Sequence, residues 1–569
     1  MLSDEVLEKV TERITNRIEQ QNAYILEQIG KTIKKMGTLT PTEAQQLGQI
    51  LKFGGDYDKI KKKIAEITSM NVKDIEKIFK EVARSDYQFA KQFYNYRKIK
   101  YIPYAENEAL KRQVKAVTNI MIDNYIAKTK AIGFSVKDLK GNMTFKPLKK
   151  AYRDIIDEAV LNVSQGKSTF QEQMAKVIKK YAGSGLKTYD YENGRSIRLD
   201  SAIRMQMKDT LRELHNEEQK LFGEEFDADG VEISVHLNPA PDHEEAQGKQ
   251  FSTKKEKNQK LSEWEKLQQE GMATAYDGTE IDMHLELKNG ETAEGFRPIS
   301  MYNCYHYTFA IVLGVSRPAY SDEQLKKIIE DNNKGFEFEG KHYTNYEGTQ
   351  LQRQLEAKIR EQKDIQIMAK ASGDDITAGA SQQQITILSR KYKKLSEASG
   401  LPTKLQRMRV SGYRRDAGID KTYKNYINSM IVGEYDINNY NSNINTTTND
   451  VVLMPDRRQH IYEDHPEVKK YIKDIPNILE NPDKVYRQLN KPDTIWLIKD
   501  IDGTRTKMTI KLNTPENIDE YGYKNSIIQF QEFKHSNINN LIKNKKIEEL
   551  QKKWYNTIEE VEKSPVHTP

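Results

Sequence analysis

Nine residues near the C-terminus, Thr504 to Leu512, read TRTKMTIKL. Every second side chain is apolar or small, whereas the side chains between them are cationic or polar. The predicted inner set is Thr506, Met508, Ile510 and Leu512. Because successive side chains of a strand point to opposite sides, this pattern predicts a β-strand with one buried face and three cations, Arg505, Lys507 and Lys511, on the other.

The segments around this strand predict a small α+β domain. Asp502-Gly503 is a dipeptide that tight hairpin turns favour, so Thr494 to Lys499 is expected to be the antiparallel partner of the strand. We expect a third strand at Asn525 to Gln531. Upstream, apolar residues recur at three- and four-residue spacing from Val468 until Asn481-Pro482, which predicts one helix packed on the sheet.

A histidine-containing segment precedes that helix, and it reads MPDRRQHIYEDHP from Met454 to Pro466. If it is helical, Arg457, His460 and Asp464 share one face, and Asp464 can hold the His460 ring in one tautomer. Imidazole suits proton transfer near neutral pH, and an adjacent cation suits a phosphate that gains charge. The five-residue step to His465 does not match the i, i+4 pair of zinc proteases. His460 and His465 are therefore candidates for proton transfer.

This C-terminal segment resembles the predicted phage nuclease domains that are grouped with barnase, EndoU, colicin-type and RelE-type ribonucleases. The resemblance rests on the following residues: Arg457, His460, Ile461, His465, Pro466, Asn481-Pro482, the hairpin and Lys524 to Ile528. It implies metal-independent RNA cleavage in which the ribose 2′-oxygen attacks its own phosphate. His460 is then the proton-transfer residue, His465 its partner, and Arg457, Lys511 and Asn525 surround the phosphate.

A structural interpretation of the same residues stays open. A histidine before a helix is often a cap, and a charged strand face is usually solvated. From Val451 to the C-terminus there are 20 Lys plus Arg against 19 Asp plus Glu. The charge balance therefore gives no independent indication of nucleic-acid binding.

Composition and motifs restrict the function of the whole chain. Its 569 residues are enough for roughly three to four domains. A charged fraction of 31% and a mean hydropathy of −0.82 are typical of a helix-rich protein with long exposed faces. No apolar run is long enough to cross a bilayer, so no membrane partner is expected. With a single cysteine, Cys304, an internal disulfide is excluded. The absence of a phosphate-binding loop and of a dinucleotide turn predicts no cofactor.

The first two hundred residues predict packed helices. Apolar residues recur at helical spacing from Val10 to Met36 and stop at Gly37, which predicts one long helix. Thr40-Pro41-Thr42-Glu43 then opens a second helix with a capping box. Further on, Leu199 begins a long polar helix that extends through Phe222, and Val231 to His236 is expected to be extended.

Most of residues 1–420 resembles the phage minor capsid protein 2 family of Gram-positive tailed phages, relatives of the Mu-type minor head proteins. The resemblance is carried by Asn238 to Ser252, Tyr302 to Tyr307, the charged helix Gly348 to Lys363, and Leu388 to Ala417. Within it, Tyr305 replaces the Arg that usually follows Asn-Cys, and Ala246 stands where Trp is common. The resemblance implies a minor head protein of the virion, with portal and capsid proteins as partners.

Cys304 and His306 could form a zinc site together with Asp242 and His243, since Cys-x-His is a usable ligand pair. The pattern lacks a second close cysteine pair, so the favoured interpretation assigns no metal. Cys304 is then a small buried hydrophobe, and the two histidines brace distant segments through hydrogen bonds.

These patterns predict a multidomain α+β protein with a mainly helical N-terminal and middle body and a small C-terminal domain built on an antiparallel sheet. The predicted regions are 1–185 (helical head-association region), 186–345 (α+β minor head core), 346–433 (charged helical segment), 434–450 (flexible Asn-rich linker) and 451–569 (ribonuclease-like toxin domain). The linker is expected to be flexible because it offers little apolar surface to offset the cost of ordering a backbone.

The predicted function is that of a minor head protein near the portal with a tethered ribonuclease-like toxin. RNA is the expected substrate, and an immunity protein is an optional partner. The protein is expected in the virion, and in the host cytoplasm during assembly and after delivery. Two alternatives remain at this stage. The C-terminal domain could be purely structural, or it could bind nucleic acid without cleaving it.

Overall fold

A computed structural model describes residues 4–53, 56–138, 140–163, 167–190, 194–257, 259–285, 295–300, 304–446, 448–514, 524–533 and 538–553. Two of the four C-terminal histidines, His535 and His567, lie outside these residues. Long helices and several small sheets alternate along the chain, which confirms the predicted multidomain α+β class. Within the described residues, no helix combines the length and apolar character that a membrane crossing requires.

The helices of the described residues are α1 Asp4–Met36, α2 Pro41–Phe53, α3 Asp56–Arg97, α4 Glu108–Lys130, α5 Leu148–Val163, α6 Lys167–Ser184, α7 Leu199–Glu225, α8 Glu263–Gln269, α9 Asp322–Lys334, α10 Asn345–Ser372, α11 Asp375–Ser399, α12 Ala417–Ser429, α13 Pro455–Asp464, α14 Ile475–Glu480 and α15 Ile538–Lys543. Two short 3₁₀ helices matter for the sites below: Pro241–His243 and Pro466–Asp474.

The strands are β1 Ile132–Lys137, β2 Met143–Pro147, β3 Lys187–Tyr189, β4 Ser196–Arg198, β5 Gly230–Ile233, β6 Gln250–Ser252, β7 Met272–Thr274, β8 Glu280–Asp282, β9 Thr308–Ile311, β10 Phe336–Phe338, β11 Lys341–Tyr343, β12 Ile431–Glu434, β13 Asp450–Val452, β14 Lys484–Gln488, β15 Lys491–Ile501, β16 Thr504–Lys511, β17 Asn525–Glu532 and β18 Ile547–Glu549.

By its internal contacts the chain divides into two compact units. The body unit comprises Met1–Gly373 and Leu388–Arg414, and the tail unit comprises Asp374–Ile387 and Arg415–Pro569. The boundaries of these two units differ from those of the five predicted regions. The predicted charged segment 346–433, for example, contributes residues to both units.

The body unit begins with the predicted helices. α1 spans the apolar stripe and ends at Met36, before Gly37. The capping box at the start of α2 forms as predicted: the Thr40 N–H donates to Glu43 at 2.9 Å, and the Glu43 N–H donates to the Thr40 hydroxyl at 3.4 Å. α7 extends from Leu199 to Glu225 and confirms the predicted polar helix.

Charged side chains lie inside the body unit, where α1, α7 and α10 meet. Asp364 of α10 is fully buried, accepts a hydrogen bond from Asn22 of α1 at 2.8 Å, and pairs with Arg198. Asp200 of α7 pairs with Arg360 of α10 at 2.5 Å. In these two pairs each buried charge has an opposite charge as its partner, which is the condition under which burial of a charge is tolerated.

A second part of the body unit holds three short strands in the order β6-β5-β9, all antiparallel. β5 covers only the first part of the predicted extended run that starts at Val231. An apolar cluster that includes Ile233, Phe251 and Ile299 packs around this sheet. The sheet and its apolar cluster thereby hold two segments in the same part of the body unit. These are the segment before β9 and the 3₁₀ helix Pro241–His243.

In its described residues the tail unit is organised around a seven-stranded sheet in the order β12-β13-β17-β16-β15-β14-β18. All strand pairs are antiparallel except β13 with β17, which is parallel. The predicted hairpin forms between β15 and β16, and its turn residues Asp502 and Gly503 both have positive φ, 50° and 77°. Positive φ at both central residues is the requirement that explains the Asp-Gly pair. β17 confirms the predicted third strand.

The helix predicted from Val468 to Asn481 is interrupted. A 3₁₀ helix covers Pro466–Asp474, and α14 follows from Ile475 to Glu480. Pro476 lies in the first turn of α14. Since proline has no N–H to donate and clashes with the preceding turn, it is expected at a helix start and not inside a helix. The apolar spacing still holds, because Val468, Ile475 and Ile478 are buried in the core of the tail unit.

The predicted exposed cationic face of β16 is largely covered. Lys507 is only 7% exposed, and its ammonium group lies 4.4 Å from the ring centre of Trp496 and 5.3 Å from that of Phe533. Burial lowers the pKa of Lys507. A small apolar cluster that includes Ile538 and Ile547 packs on this face of the sheet. This part of the sheet is therefore covered on both faces, because α15 and β18, which follow β17, pack over it.

The stretch predicted to be a flexible linker, 434–450, packs into the tail unit in its described residues. Its apolar side chains Tyr435, Ile437, Tyr440 and Ile444 belong to the main core cluster of the unit. The Tyr435 and Tyr440 rings stack with centroids 5.9 Å apart. This finding corrects the expectation of a solvated tether: four apolar side chains among many asparagines give enough buried surface to fix the backbone.

Candidate functional site

α13 carries the predicted histidines and is fixed by both of its ends. It begins at Pro455, where a proline at the first helical position loses no hydrogen bond, and it ends at Asp464, before Pro466 opens the 3₁₀ helix. The Ile461 side chain is fully buried in the core of the tail unit. Ile461 thereby anchors α13 to the core, while the adjacent His460 side chain stays partly exposed.

His460 forms the contact that the helical spacing predicted. Its Nδ1 lies 2.5 Å from Oδ2 of Asp464, one turn further along α13. The His460 side chain retains 41% of its exposure. A carboxylate at Nδ1 fixes the orientation of the ring and directs Nε2 away from the pair. His460 is therefore an oriented and accessible imidazole.

His465 leaves the helix and turns its ring back toward His460. It is the C-terminal cap of α13, and the two ring centroids lie 6.0 Å apart at an angle of 85°. His465 Nδ1 lies 3.5 Å from Oε1 of Glu467, and its Nε2 lies 3.4 Å from the amide nitrogen of Gln529 on β17. The helix end brings together two imidazoles that a continued helix would have separated by roughly 140°.

The sheet register relates Lys511 to this pair of histidines. Thr509 of β16 is directly opposite Gln529 of β17, and Lys511 is opposite Ser526. Directly opposed residues of neighbouring strands share a face, and so do residues two apart on one strand. Lys511 therefore lies on the face of the sheet that also presents Gln529, and its side chain is partly exposed.

The other predicted phosphate ligands are placed differently. Arg457 lies one turn before His460 on α13 and is partly exposed. Asn525 is fully buried. Its Oδ1 accepts the N–H of Asn513 at 2.9 Å, and its Nδ2 donates to the carbonyl of Thr448 at 2.9 Å. Oδ1 and Nδ2 of the side-chain amide are both used to join strand segments. The structure therefore places Asn525 in a supporting role and not at a phosphate.

Sequence reasoning missed two polar side chains that contact His465 and a third that contacts one of them. Glu467 contacts its Nδ1, Gln529 contacts its Nε2, and Gln531 accepts a hydrogen bond from Gln529 at 2.5 Å. The two glutamines alternate along β17, which was a visible sign of a polar strand face. Their proximity to His465 depends on the approach of α13 to β17, which no local pattern reveals.

The second histidine group lies in the body unit and involves Cys304, His243 and His306. All three side chains are buried. The favoured interpretation of the sequence treats them as packing residues. In the alternative interpretation, a zinc site, Asp242 is a fourth ligand. In the structure Asp242 instead accepts two hydrogen bonds from Arg297, at 2.8 and 3.0 Å. Asp242 is therefore occupied by a guanidinium group.

Comparison with known proteins places the body of the chain. The family model for phage minor capsid protein 2 matches residues 2–396. The match therefore ends before the sheet of the tail unit and its two histidines. Searches of curated proteins and of solved structures returned no match. The model covers more than half of the sequence, so the chain belongs to the phage minor capsid protein 2 family and is a structural head protein of the virion.

Proposed function

We propose that this minor head protein carries a metal-independent ribonuclease in residues 451–569, with His460 and His465 as its proton-transfer pair. One observation carries the proposal: two imidazole rings converge with centroids 6.0 Å apart, each with a carboxylate beside its Nδ1. In general, two imidazoles beside one phosphate can act as base and acid in the same reaction.

The proposed reaction transfers the phosphate within the RNA strand. His460 Nε2 removes the proton of the ribose 2′-hydroxyl, and the 2′-oxygen forms a bond to phosphorus. The bond from phosphorus to the 5′-oxygen of the next nucleotide breaks, and a protonated His465 donates its proton to that oxygen. The products are a strand that ends in a 2′,3′-cyclic phosphate and a strand with a free 5′-hydroxyl. Asp464 orients the His460 ring and stabilises the charge that it gains.

Cationic side chains supply the phosphate contacts in this proposal. Lys511 shares its sheet face with Gln529, which touches His465. Arg457 precedes His460 by one helical turn. Charge spreads onto the non-bridging oxygens in the transition state, and a fixed cation near them lowers the barrier. Arg505 is less suited to this role because it forms a bidentate pair with Asp500, with both contacts at 2.8 Å.

The proposed place of action differs between the two parts of the chain. Residues 1–420 would mediate entry into the head next to the portal, and the C-terminal part would act on RNA in the host cytoplasm after delivery. The family match at residues 2–396 supports the first role. Portal and capsid proteins are the proposed partners of the body, RNA is the proposed substrate of the tail, and an immunity protein would protect the producing cell.

The purified full-length chain tests the proposal with single-stranded RNA and analysis of the product ends. We expect 2′,3′-cyclic phosphate ends, and His460→Ala should lower the cleavage rate by about 10² to 10⁴. His342→Ala is the matched control, because His342 is an exposed histidine on the β10–β11 hairpin. It should cleave at the wild-type rate.

The same assay separates the alternatives. Tight, salt-sensitive RNA binding without cleavage would assign the tail to holding nucleic acid inside the head. Neither binding nor cleavage would make the tail a purely structural part of the virion. Cleavage that survives in His460→Ala would move the chemistry to other residues.

A further inference from the structure

A thiol and two imidazoles meet in the interior of the body unit. Cys304 Sγ lies 3.4 Å from Nδ1 of His243 and 3.3 Å from Nδ1 of His306. The three candidate ligand atoms all lie within 4.8 Å of one another. The exposures of Cys304, His243 and His306 are 1%, 1% and 3%, so bulk water does not reach this group.

The hydrogen-bond partners of the rings determine which nitrogen carries the proton. His243 Nε2 lies 2.6 Å from the carbonyl oxygen of Arg297, and a carbonyl can only accept, so Nε2 must donate. His306 Nε2 lies 3.4 Å from Oε1 of Gln247. The backbone N–H of His236 donates to the same Oε1 at 2.8 Å, which identifies that atom as an acceptor. Both rings therefore donate through Nε2.

Neutral rings with a proton on Nε2 present a lone pair at Nδ1. Nδ1 of each ring lies beside the Cys304 sulfur, and an imidazole that donates through Nε2 can accept at Nδ1. Two lone pairs consequently point at one sulfur atom, which has one proton to offer. A hydrogen bond can satisfy only one of them.

The geometry points to a zinc ion bound by the Cys304 thiolate and by Nδ1 of His243 and His306. Zinc bound at ordinary distances to one sulfur and one nitrogen separates these two atoms by roughly 3.6 Å, close to the observed 3.3 and 3.4 Å. A mixed set of thiolate and imidazole ligands favours zinc over the oxygen-preferring magnesium and calcium.

The surroundings orient the three ligands. The Nε2 groups that donate to Arg297 and Gln247 are the outer contacts that orient metal-bound histidines. The backbone N–H of His306 lies 3.4 Å from Cys304 Sγ and stabilises negative charge on the sulfur. On binding, the S–H bond breaks, the sulfur–zinc bond forms, and the proton leaves to solvent. Among the described residues the protein ligands are these three, since Asp242 is held by Arg297.

The ion would link two distant segments of the body unit. His243 ends the 3₁₀ helix Pro241–His243, whereas Cys304 and His306 lie 61 and 63 positions further along, just before β9. A structural metal contributes its binding free energy to the folded state, because the unfolded chain has no preformed site. The inferred site replaces the packing role that the sequence alone favoured, and it is independent of the tail unit.

Metal analysis of the purified full-length chain, produced without a polyhistidine tag, tests the inference. We expect about one zinc per chain, the content of a single mononuclear site. Cys304→Ser and His306→Ala should lose the metal, whereas His342→Ala, at an exposed histidine, should retain it. Cobalt provides a measurement on the wild-type chain. Because Cys304 is the single cysteine of the sequence, a thiolate-to-cobalt charge-transfer band reports on this residue alone.

Folded wild-type protein that takes up neither zinc nor cobalt after incubation with excess metal would overturn the inference. So would bound cobalt without the thiolate band, because the metal would then lie elsewhere. A cobalt band in the wild type supports the site even when Cys304→Ser fails to fold. RNA cleavage does not enter this test, so failure of the zinc site and failure of the proposed ribonuclease remain distinguishable.

Discussion

Two histidine pairs of this protein lie in opposite environments, and the tasks proposed for them differ accordingly. His243 and His306 are buried, each donates through Nε2 to a neutral carbonyl oxygen, and each presents a lone pair at Nδ1. His460 and His465 are partly exposed, and each has a carboxylate near Nδ1. A carbonyl partner and burial keep a ring neutral, which suits a metal ligand. A carboxylate partner and access to solvent suit a ring that gains and loses a proton.

Removal of the carboxylate beside His460 should have the largest effect. Asp464→Ala leaves His460 in place but frees its ring to rotate, and loss of orientation of a catalytic group costs about 10²-fold in rate. We expect that reduction in kcat for RNA cleavage, with an unchanged melting temperature because Asp464 is largely exposed. Glu480→Ala, an exposed acidic residue at the end of α14, is the control. Equal rates for the two variants would remove Asp464 from the account.

Loss of an outer contact in the buried pair should weaken metal binding instead. Gln247→Leu removes the acceptor for His306 Nε2 and keeps a side chain of similar size. Such partners typically change metal affinity by about 10- to 100-fold. Competition with a zinc chelator measures the change, and Gln324→Leu, which alters an N-terminal capping contact of α9, serves as a comparison for lost hydrogen bonding. RNA cleavage by Gln247→Leu should remain at the wild-type level.

A buried carboxyl group tests the claim that burial sets the protonation state. Glu19 of α1 is 2% exposed, and burial, with a contribution from Asp200, raises its pKa to about 8. The folded chain then keeps a proton that the unfolded chain releases above pH 4.5. Stability should therefore fall as pH rises from 4.5 to about 8, by up to about 1.4 kcal/mol per pH unit.

Glu19→Gln should remove that pH dependence, because its amide stays neutral. Thermal unfolding followed between pH 5 and pH 8 provides the measurement. Glu81→Gln on α3 is the matched exposed position, with 64% of its side chain accessible. A slope that persists in Glu19→Gln would assign the pH dependence to another group.

Lys511→Ala should produce the smallest change. Because Lys511 shares the sheet face of Gln529, its loss should weaken RNA binding and reduce the slope of log affinity against log salt by roughly 0.7, the contribution of one phosphate contact to a single strand. Lys543→Ala, on α15, provides the comparison. An unchanged slope would place Lys511 away from the RNA.

Local patterns predicted much of the fold, and nonlocal contacts account for what they missed. The alternation in β16, the Asp-Gly turn and the Thr40–Glu43 capping box each depend on residues a few positions apart. Segment 434–450 is buried through four apolar side chains, and the average composition of the segment concealed them. The prediction also missed the second cover of the sheet, since it is supplied by residues after β17.

The two sites show the same limit. The contact between His460 and Asp464 follows from one helical turn, and the sequence predicted it. The convergence of His243 with Cys304 spans 61 positions, and the contact of His465 with Gln529 spans 64. Asn525 was assigned to a phosphate because its partners, Asn513 and Thr448, cannot be recognised from spacing.

In the most direct measurement, the wild-type full-length chain is treated with a strong zinc chelator. The melting temperature and the rate of RNA cleavage are then followed in the same sample. Loss of the metal should lower the stability of the folded chain by about 2.7 kcal/mol if zinc is held at 100 times its Kd, seen as a lower melting temperature. The rate of RNA cleavage, measured well below that temperature, should stay unchanged. Cleavage that disappears with the metal, or a melting temperature that does not move when zinc is removed, would contradict the division between the two histidine pairs.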